Sequence, residues 1–253
     1  MTDIADWYKQ LPRFTKYWLS LTVGISLLAK IGILPDYYLV LFWDFVWRKL
    51  HIWRPITAVF YYPLNPNTGF HFMLNCFFLY NYSLRLEQEH FKGSPADYLF
   101  MLIFNWLCCV IVGVIASFPL LMDPMILSVL YVWCQLNKDV IVNFWFGTRF
   151  KAMYLPWVLL AFNFILSGAM FSLVGIVVGH LYFFLKFKYP QELGGASYLE
   201  TPGILKHYFP DVRGGVHGFG VAPENQRNVQ ENNGMGNRFF GAQGWGRGHV
   251  LGR

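Results

Sequence analysis

The sequence has 253 residues, of which 55% are hydrophobic, 20% aromatic and only 13% charged, about half the charged share of a soluble domain (roughly 25%). The net charge is +6, yet no stretch is both strongly basic and soluble in character. The cations border apolar segments, so they read as membrane-topology signals and not as a nucleic-acid surface.

In chain order, Asp3, Asp6, Trp7, Lys9 and Arg13 precede the first apolar run. That run is too long for a signal-peptide core and lacks a small-residue cleavage site, so it reads as a retained signal-anchor. A bilayer core of about 30 Å needs about 20 apolar residues in a helix. The first candidate span runs from Tyr17 to Leu34, with Lys30 able to snorkel. Pro35 to Asn67 is broken by Pro55, Pro63 and Pro66 and carries Trp43, Trp47, Arg48, Lys49, Trp53 and Arg54. It is expected to be a structured loop in the headgroup layer.

The second span runs from Gly69 to Leu86. Ser94 is expected to cap a third, with Pro95 at its first helical position. That span reaches from Asp97 to Leu121, where Asp123-Pro124 breaks it. The fourth runs from Met125 to Leu136, and both an earlier start and an end near Val142 remain open. Asn137 to Lys151, with Phe144, Trp145 and Phe146, is a second interfacial loop. The fifth span runs from Met153 to Met170 and the sixth from Phe171 to Phe187.

Six spans place both termini on one side. Lys9, Arg13, Lys16, Arg85, Lys92, Lys138, Arg149, Lys151, Lys186 and Lys188 all fall on that side. By the positive-inside rule it is cytosolic, although Arg48, Lys49 and Arg54 in the first loop run against the bias. From Pro190 the aliphatic runs vanish, and more than half of the 23 glycines lie there. The expected organisation is an all-α, six-span membrane domain over 1–189 and a disordered cytosolic tail over 190–253.

Cys76, Cys108, Cys109 and Cys134 lie inside apolar stretches and read as small buried residues, not as a disulfide framework. No metal ligand set accompanies them, and no cofactor is expected. His71 and Asn75 share one helix face at a spacing of four. With Gln135 and His180 they form a set of polar residues in the spans. Interhelical hydrogen bonding is one reading of such residues. Lowering the cost of carrying a polar backbone through lipid is another. Gly175 and Gly179 form GxxxG, which lets helix backbones approach closely.

The order Trp53-Arg54, His71xxxAsn75, Leu86-Glu87 resembles rhomboid intramembrane proteases, in which an HxxxN pair helps hold the oxyanion. A rhomboid nucleophile, however, sits in GxSG. Here Ser128 lies between Leu127 and Val129, whose bulk fills the space a substrate carbonyl needs. His180 then has no serine to activate. An intramembrane serine protease is therefore the disfavoured alternative.

A closer resemblance covers about the first 190 residues. Trp53-Arg54-Pro55-Ile56-Thr57, Ser94-Pro95-Ala96-Asp97-Tyr98-Leu99, the run from Tyr131 to Asp139, the run from Phe144 to Lys151, and Tyr154-Leu155-Pro156-Trp157-Val158 resemble metazoan members of the Derlin family. The resemblance implies a rhomboid-like bundle in the endoplasmic reticulum membrane without catalysis. It implies a role in endoplasmic-reticulum-associated degradation, moving misfolded luminal and membrane proteins to the cytosol. The expected partners are those substrates, an ubiquitin-ligase complex of that membrane, and further Derlin chains in homo- or hetero-oligomers. The terminus, with Trp245, Gly246, Gly248, Leu251 and Gly252, resembles the SHP box that binds the valosin-containing AAA+ ATPase. Trp245 and Leu251 are its expected anchors. Trp53-Arg54 would hold the first loop where it meets substrate, or simply pack it, with Arg54 paired to a carboxylate such as Glu87 or to backbone carbonyls. A membrane adaptor that recruits the ATPase without passing substrate is the second open reading.

Overall fold

The computed structural model describes residues 4–42, 46, 50–144, 147–168, 170–192 and 199–211. The expected ATPase-binding residues Trp245, Gly246, Gly248, Leu251 and Gly252 lie outside the described residues, as do Trp43, Trp47, Arg48, Lys49, Trp145 and Phe146.

A short helix, α1 (Ile4–Gln10), is separated by Leu11-Pro12 from α2 (Arg13–Lys30). Pro12 is extended and supplies no side-chain cap. The first loop is more regular than its prolines imply, holding α3 (Asp36–Leu39) and α4 (Arg54–Phe60). Pro55 falls in the first turn of α4, where a missing backbone N–H costs nothing.

Helix α5 (Gly69–Phe78) continues unbroken through two π turns, Leu79–Ser83 and Leu86–His90. Helix α6 (Pro95–Ile115) starts with Pro95 as the sequence leads one to expect. Ser94 stands at the N-cap position, but its hydroxyl makes no capping bond; its carbonyl accepts the Asp97 N–H instead (3.1 Å). The helix ends six residues before the expected Leu121. Phe118 N–H donates to Gly113 O (2.7 Å) and Ser117 N–H to Val114 O (3.3 Å). Those are the paired bonds of a Schellman end, with Ser117 in the left-handed position (φ 58°).

Helix α7 (Met122–Leu136) starts before Asp123-Pro124, which occupy its first turn and do not break it. The second loop is a small antiparallel hairpin of β1 (Ile141–Asn143) and β2 (Arg149–Lys151), with Val142 opposite Phe150. Helix α8 (Leu155–Ser167) stops at Gly168, whose φ of 65° suits glycine. Helix α9 (Ser172–Phe183) runs on through a π turn, Phe184–Lys188, to Tyr189–Glu192. A last helix, α10 (Gly203–Tyr208), follows.

Among the described residues the fold is thus predominantly helical with one two-stranded hairpin. Among the described residues α6 is long and apolar enough to cross a bilayer by length and composition; α7 and the 152–166 segment are apolar but shorter.

Helix α7 is the axis of the bundle, since every residue from Met122 to Cys134 except Asp123 is buried. It has no polar face because it has no solvent face. Its tightest neighbour is α9. A Cβ at Gly175 would stand 2.3 Å from Pro124 O, and one at Gly179 would stand 2.7 Å from Ser128 O. Where lipid surrounds a bundle, burial against water no longer drives helices together. Close backbone packing does, and these two glycines permit it.

Residues 199–211, assigned to the disordered tail on composition, have defined contacts. Thr201 Oγ1 donates to Asp97 Oδ1, and Lys186 Nζ donates to Leu199 O (2.8 Å). Phe209 packs on Phe14 at 5.4 Å. The polar composition hid a few apolar anchors that find partners only on the folded bundle.

Candidate functional site

Two buried polar networks occupy opposite ends of the bundle. The first centres on His71 in α5. Asn163 Oδ1 lies 3.1 Å from His71 Nε2, and an amide oxygen can only accept, so Nε2 carries the proton. Nδ1 is then an acceptor, and the Tyr62 hydroxyl donates to it at 2.5 Å. Burial, with a smaller contribution from the negative Asp123, pushes the Tyr62 phenol above the ordinary tyrosine range and keeps it a donor. Asn163 Nδ2 donates onward to Ser172 Oγ (3.0 Å). One relay therefore ties the first loop, α5, α8 and the start of α9.

One turn along α5, Asn75 Nδ2 donates to Asp123 Oδ1 at 2.5 Å. Asp123 sits in the first turn of α7, where the helix dipole favours a carboxylate. Between the two arms lies a cavity of about 10 Å³ lined by Asn75, Asp123 and Asn163 among others, at the lower limit for one water.

The second network closes the other end. Glu87 Oε1 accepts the Phe14 N–H (3.0 Å), and Oε2 accepts the Thr15 N–H (2.9 Å) and hydroxyl (2.8 Å). The Thr15 hydroxyl also lies 2.7 Å from that of Ser83, itself 2.6 Å from the Tyr98 hydroxyl.

The four polar residues grouped from the sequence do not converge. His71 and Asn75 are buried at one end. His180 is exposed, and its Nδ1 lies 2.8 Å from the Tyr131 hydroxyl. Gln135 stands at the far end of α7, about 18 Å along the helix from Asp123, half-buried beside Lys138 and Asp139. Ser128 is fully buried, and its hydroxyl donates back to Met125 O at 2.7 Å. Serine and imidazole thus have separate partners, and no nucleophile–base pair is assembled from them.

Arg54 is buried at 0% exposure. Its Nη1 donates to Tyr37 O (2.8 Å) and Val40 O (3.0 Å), and its Nε lies 3.2 Å from His51 Nδ1. Backbone carbonyls, one of the two kinds of partner open from the sequence, are among those found. Glu87 is at the other end of the molecule. Trp53 is half exposed and stacks on His51 (4.5 Å).

Tyr62, Asp123, Asn163, Ser172, Thr15 and Ser83 belong to these networks without any motif that marks them as such in the sequence. A usable signal existed for Asn163, since an amide inside an apolar run has to find a partner within the bundle.

These features define a helical membrane protein in which two networks of interior polar groups join helices across the bundle. The chain belongs to the Der1-like family, whose model matches residues 11–203, and so to a family of endoplasmic reticulum membrane proteins with a role in endoplasmic-reticulum-associated degradation. It is 53% identical over 253 residues to "Derlin-1" of Homo sapiens, covering 100% of this chain and 99% of that one. It is 49% identical over 251 residues to "Derlin-1" of Drosophila melanogaster (99% of each), and 49% identical over 217 residues to "Derlin-1" of Caenorhabditis elegans (85% of this chain, 88% of that one).

Proposed function

We propose that this protein is a catalytically inactive, six-span, rhomboid-like component of endoplasmic-reticulum-associated degradation, with both termini in the cytosol. It helps misfolded proteins reach the cytosol and recruits the valosin-containing AAA+ ATPase through its last residues, Trp245 to Gly252. An ubiquitin-ligase complex and further Derlin chains are its partners in the membrane. The spans are α2, α5, α6, α7, α8 and α9 with their π-turn extensions. Phe14, Asp97 and Phe209 meeting at one end supports an even number of crossings.

The observation that carries the non-catalytic reading is the Ser128 hydroxyl, buried and donated to Met125 O. A serine nucleophile needs a base at its oxygen and an open space above it. Ser128 has a carbonyl at its oxygen and α9 backbone beside it: Gly179 approaches Ser128 O.

The filled axis also bears on the path of a substrate. With α7 buried on all sides, a polypeptide travels along an outer face or a groove shared between chains. Helix α7 is about 22 Å long, shorter than the bilayer core, and a short helix thins the lipid around it.

Binding of a peptide spanning 240–253 to the N domain of the ATPase tests recruitment, with Trp245→Ala and Leu251→Ala beside it. Equal binding of native and substituted peptides sinks it. Photocrosslinking of a client from Phe77 or Ile111, both exposed, separates a conduit from an adaptor. Crosslinks appear only if substrate passes the bundle.

A further inference from the structure

Phe14 and Tyr17 line two cavities at once. On one side is an apolar groove of about 330 Å³ between α2, α4, α6 and α7. Phe14, Trp18 and Leu21 follow one another along α2 at helical spacing, and Leu99, Leu102 and Trp106 do so along α6. The groove therefore runs with both helices for about 10 Å. On the other side is a recess of about 570 Å³ rimmed by Lys9, Arg13, Lys16 and Phe209, with no carboxylate in its lining.

The cations are poorly neutralised. Lys9 has Asp6 at 3.8 Å, an exposed pair of little strength. Lys16 lies over the Tyr8 ring at 4.4 Å. The Arg13 guanidinium has no hydrogen-bond or ion-pair partner among the described residues. The nearby Glu87 is committed to the Phe14 and Thr15 N–H groups. In the groove, the Trp106 indole N–H is satisfied by Pro55 O (3.0 Å), whereas the Trp18 indole N–H, 4% exposed, has no partner among the described residues.

We infer that the two cavities together hold one anionic glycerophospholipid. An acyl chain fills the groove, and the phosphate and charged headgroup lie in the recess against Lys9, Arg13 and Lys16. The inference rests on α2 crossing the membrane with its N-terminal end at the cytosolic surface. It does not depend on the ATPase or on any client. A zwitterionic lipid fills the groove equally well but carries no net charge for the recess. Each cation near an anionic headgroup favours it about fivefold, so the three together make a strong preference even after Asp6 offsets part of Lys9.

The experiment is native mass spectrometry of the full-length protein titrated with dioleoyl phosphatidylinositol or dioleoyl phosphatidylcholine. The expected result is at least about tenfold tighter retention of the anionic lipid. Arg13→Gln with Lys16→Gln should remove most of that preference, leaving only the part that Lys9 supplies. Leu21→Trp, which fills the groove, should weaken both lipids alike. Equal retention of the two lipids by the wild-type chain overturns the inference. So does competition by glycerophosphoinositol as effective as the intact lipid, which would make this an anion site without a chain groove. If the double variant loses its thermal transition, Arg13→Gln alone decides, with retention of the anionic lipid expected to weaken about fivefold and unchanged retention overturning the inference.

Discussion

Glu87, near the end of the long α5 helix, caps α2 from outside by accepting both the backbone N–H and the hydroxyl of Thr15, at 2.9 and 2.8 Å. Pro12 brings no capping side chain of its own, so the start of the first long helix depends on a residue over seventy positions downstream. Glu87→Ala leaves the Phe14 and Thr15 amides without their acceptor, a loss of about 1–3 kcal/mol. The midpoint of thermal unfolding in detergent should fall, and Glu87→Gln, which keeps one acceptor oxygen, should fall less. An unchanged midpoint for Glu87→Ala contradicts the capping role.

Asn75 and Asp123 form a donor–acceptor pair that can be inverted. Asn75→Asp sets a second carboxylate against Asp123 and should unfold a large part of the protein. Asp123→Asn on the same chain restores one donor and one acceptor. A double-mutant cycle on the folded fraction should show a coupling of about 1–3 kcal/mol. Additive effects would mean that the 2.5 Å contact carries little.

The α7–α9 contact leaves no room for a methyl group. Gly175→Ala drives a Cβ into Pro124 O, which is rigid backbone, so the expected cost is at least about 1–3 kcal/mol. Gly24, with nothing within 4 Å of the same added atom, is the matched control. Resistance to limited proteolysis should fall for Gly175→Ala and hold for Gly24→Ala.

Arg54 ties the first loop together through the carbonyls of Tyr37 and Val40. Arg54→Lys keeps the charge but cannot span Tyr37 O, Val40 O and His51 together. It should behave like Arg54→Ala, with client half-life lengthened while the ATPase still co-purifies. Loss of the ATPase as well would mean that the bundle has misfolded. Full activity of Arg54→Lys would mean that charge alone is needed.

Lys151 and Asp139 form an exposed pair (2.9 Å) beside the hairpin, and the lysine's hydrogen bond and charge hold the Asp139 carboxyl below the usual range. A carboxyl lowered on folding stabilises above its unfolded pKa of about 3.9 and loses that contribution as pH falls through its folded value. At this exposure solvent screening leaves the contribution small. Asp139→Asn should therefore leave the unfolding midpoint at pH 7 unchanged, and a clear drop would show that the pair is structural.

The apolar runs, the positions of the long helices and the start of α6 at Pro95 were legible in the sequence, because a bilayer demands runs of a certain length and proline restricts where a helix begins. Gly175 and Gly179 are visible in the sequence as GxxxG, but that spacing is common by chance, and what their backbones meet is set by the packing. The partners of the polar residues were not. His71 and Asn75 could be placed on one face of α5, but Asn163, Asp123 and Tyr62 come from other helices and a loop, and nothing local marks which of them meet. Grouping Gln135 and His180 with them followed from polarity alone, whereas the packing puts one at the far end of α7 and the other on an outer face. The docking of 199–211 was hidden for the same reason: Thr201 and Phe209 gain partners only after α2 and α6 are side by side. Hydropathy along the chain is enough to mark which segments must be helices in an apolar medium. The tertiary structure decided which hydrogen-bonding groups satisfy one another, because a buried polar group is placed by whatever partner reaches it, and reach is a property of three dimensions.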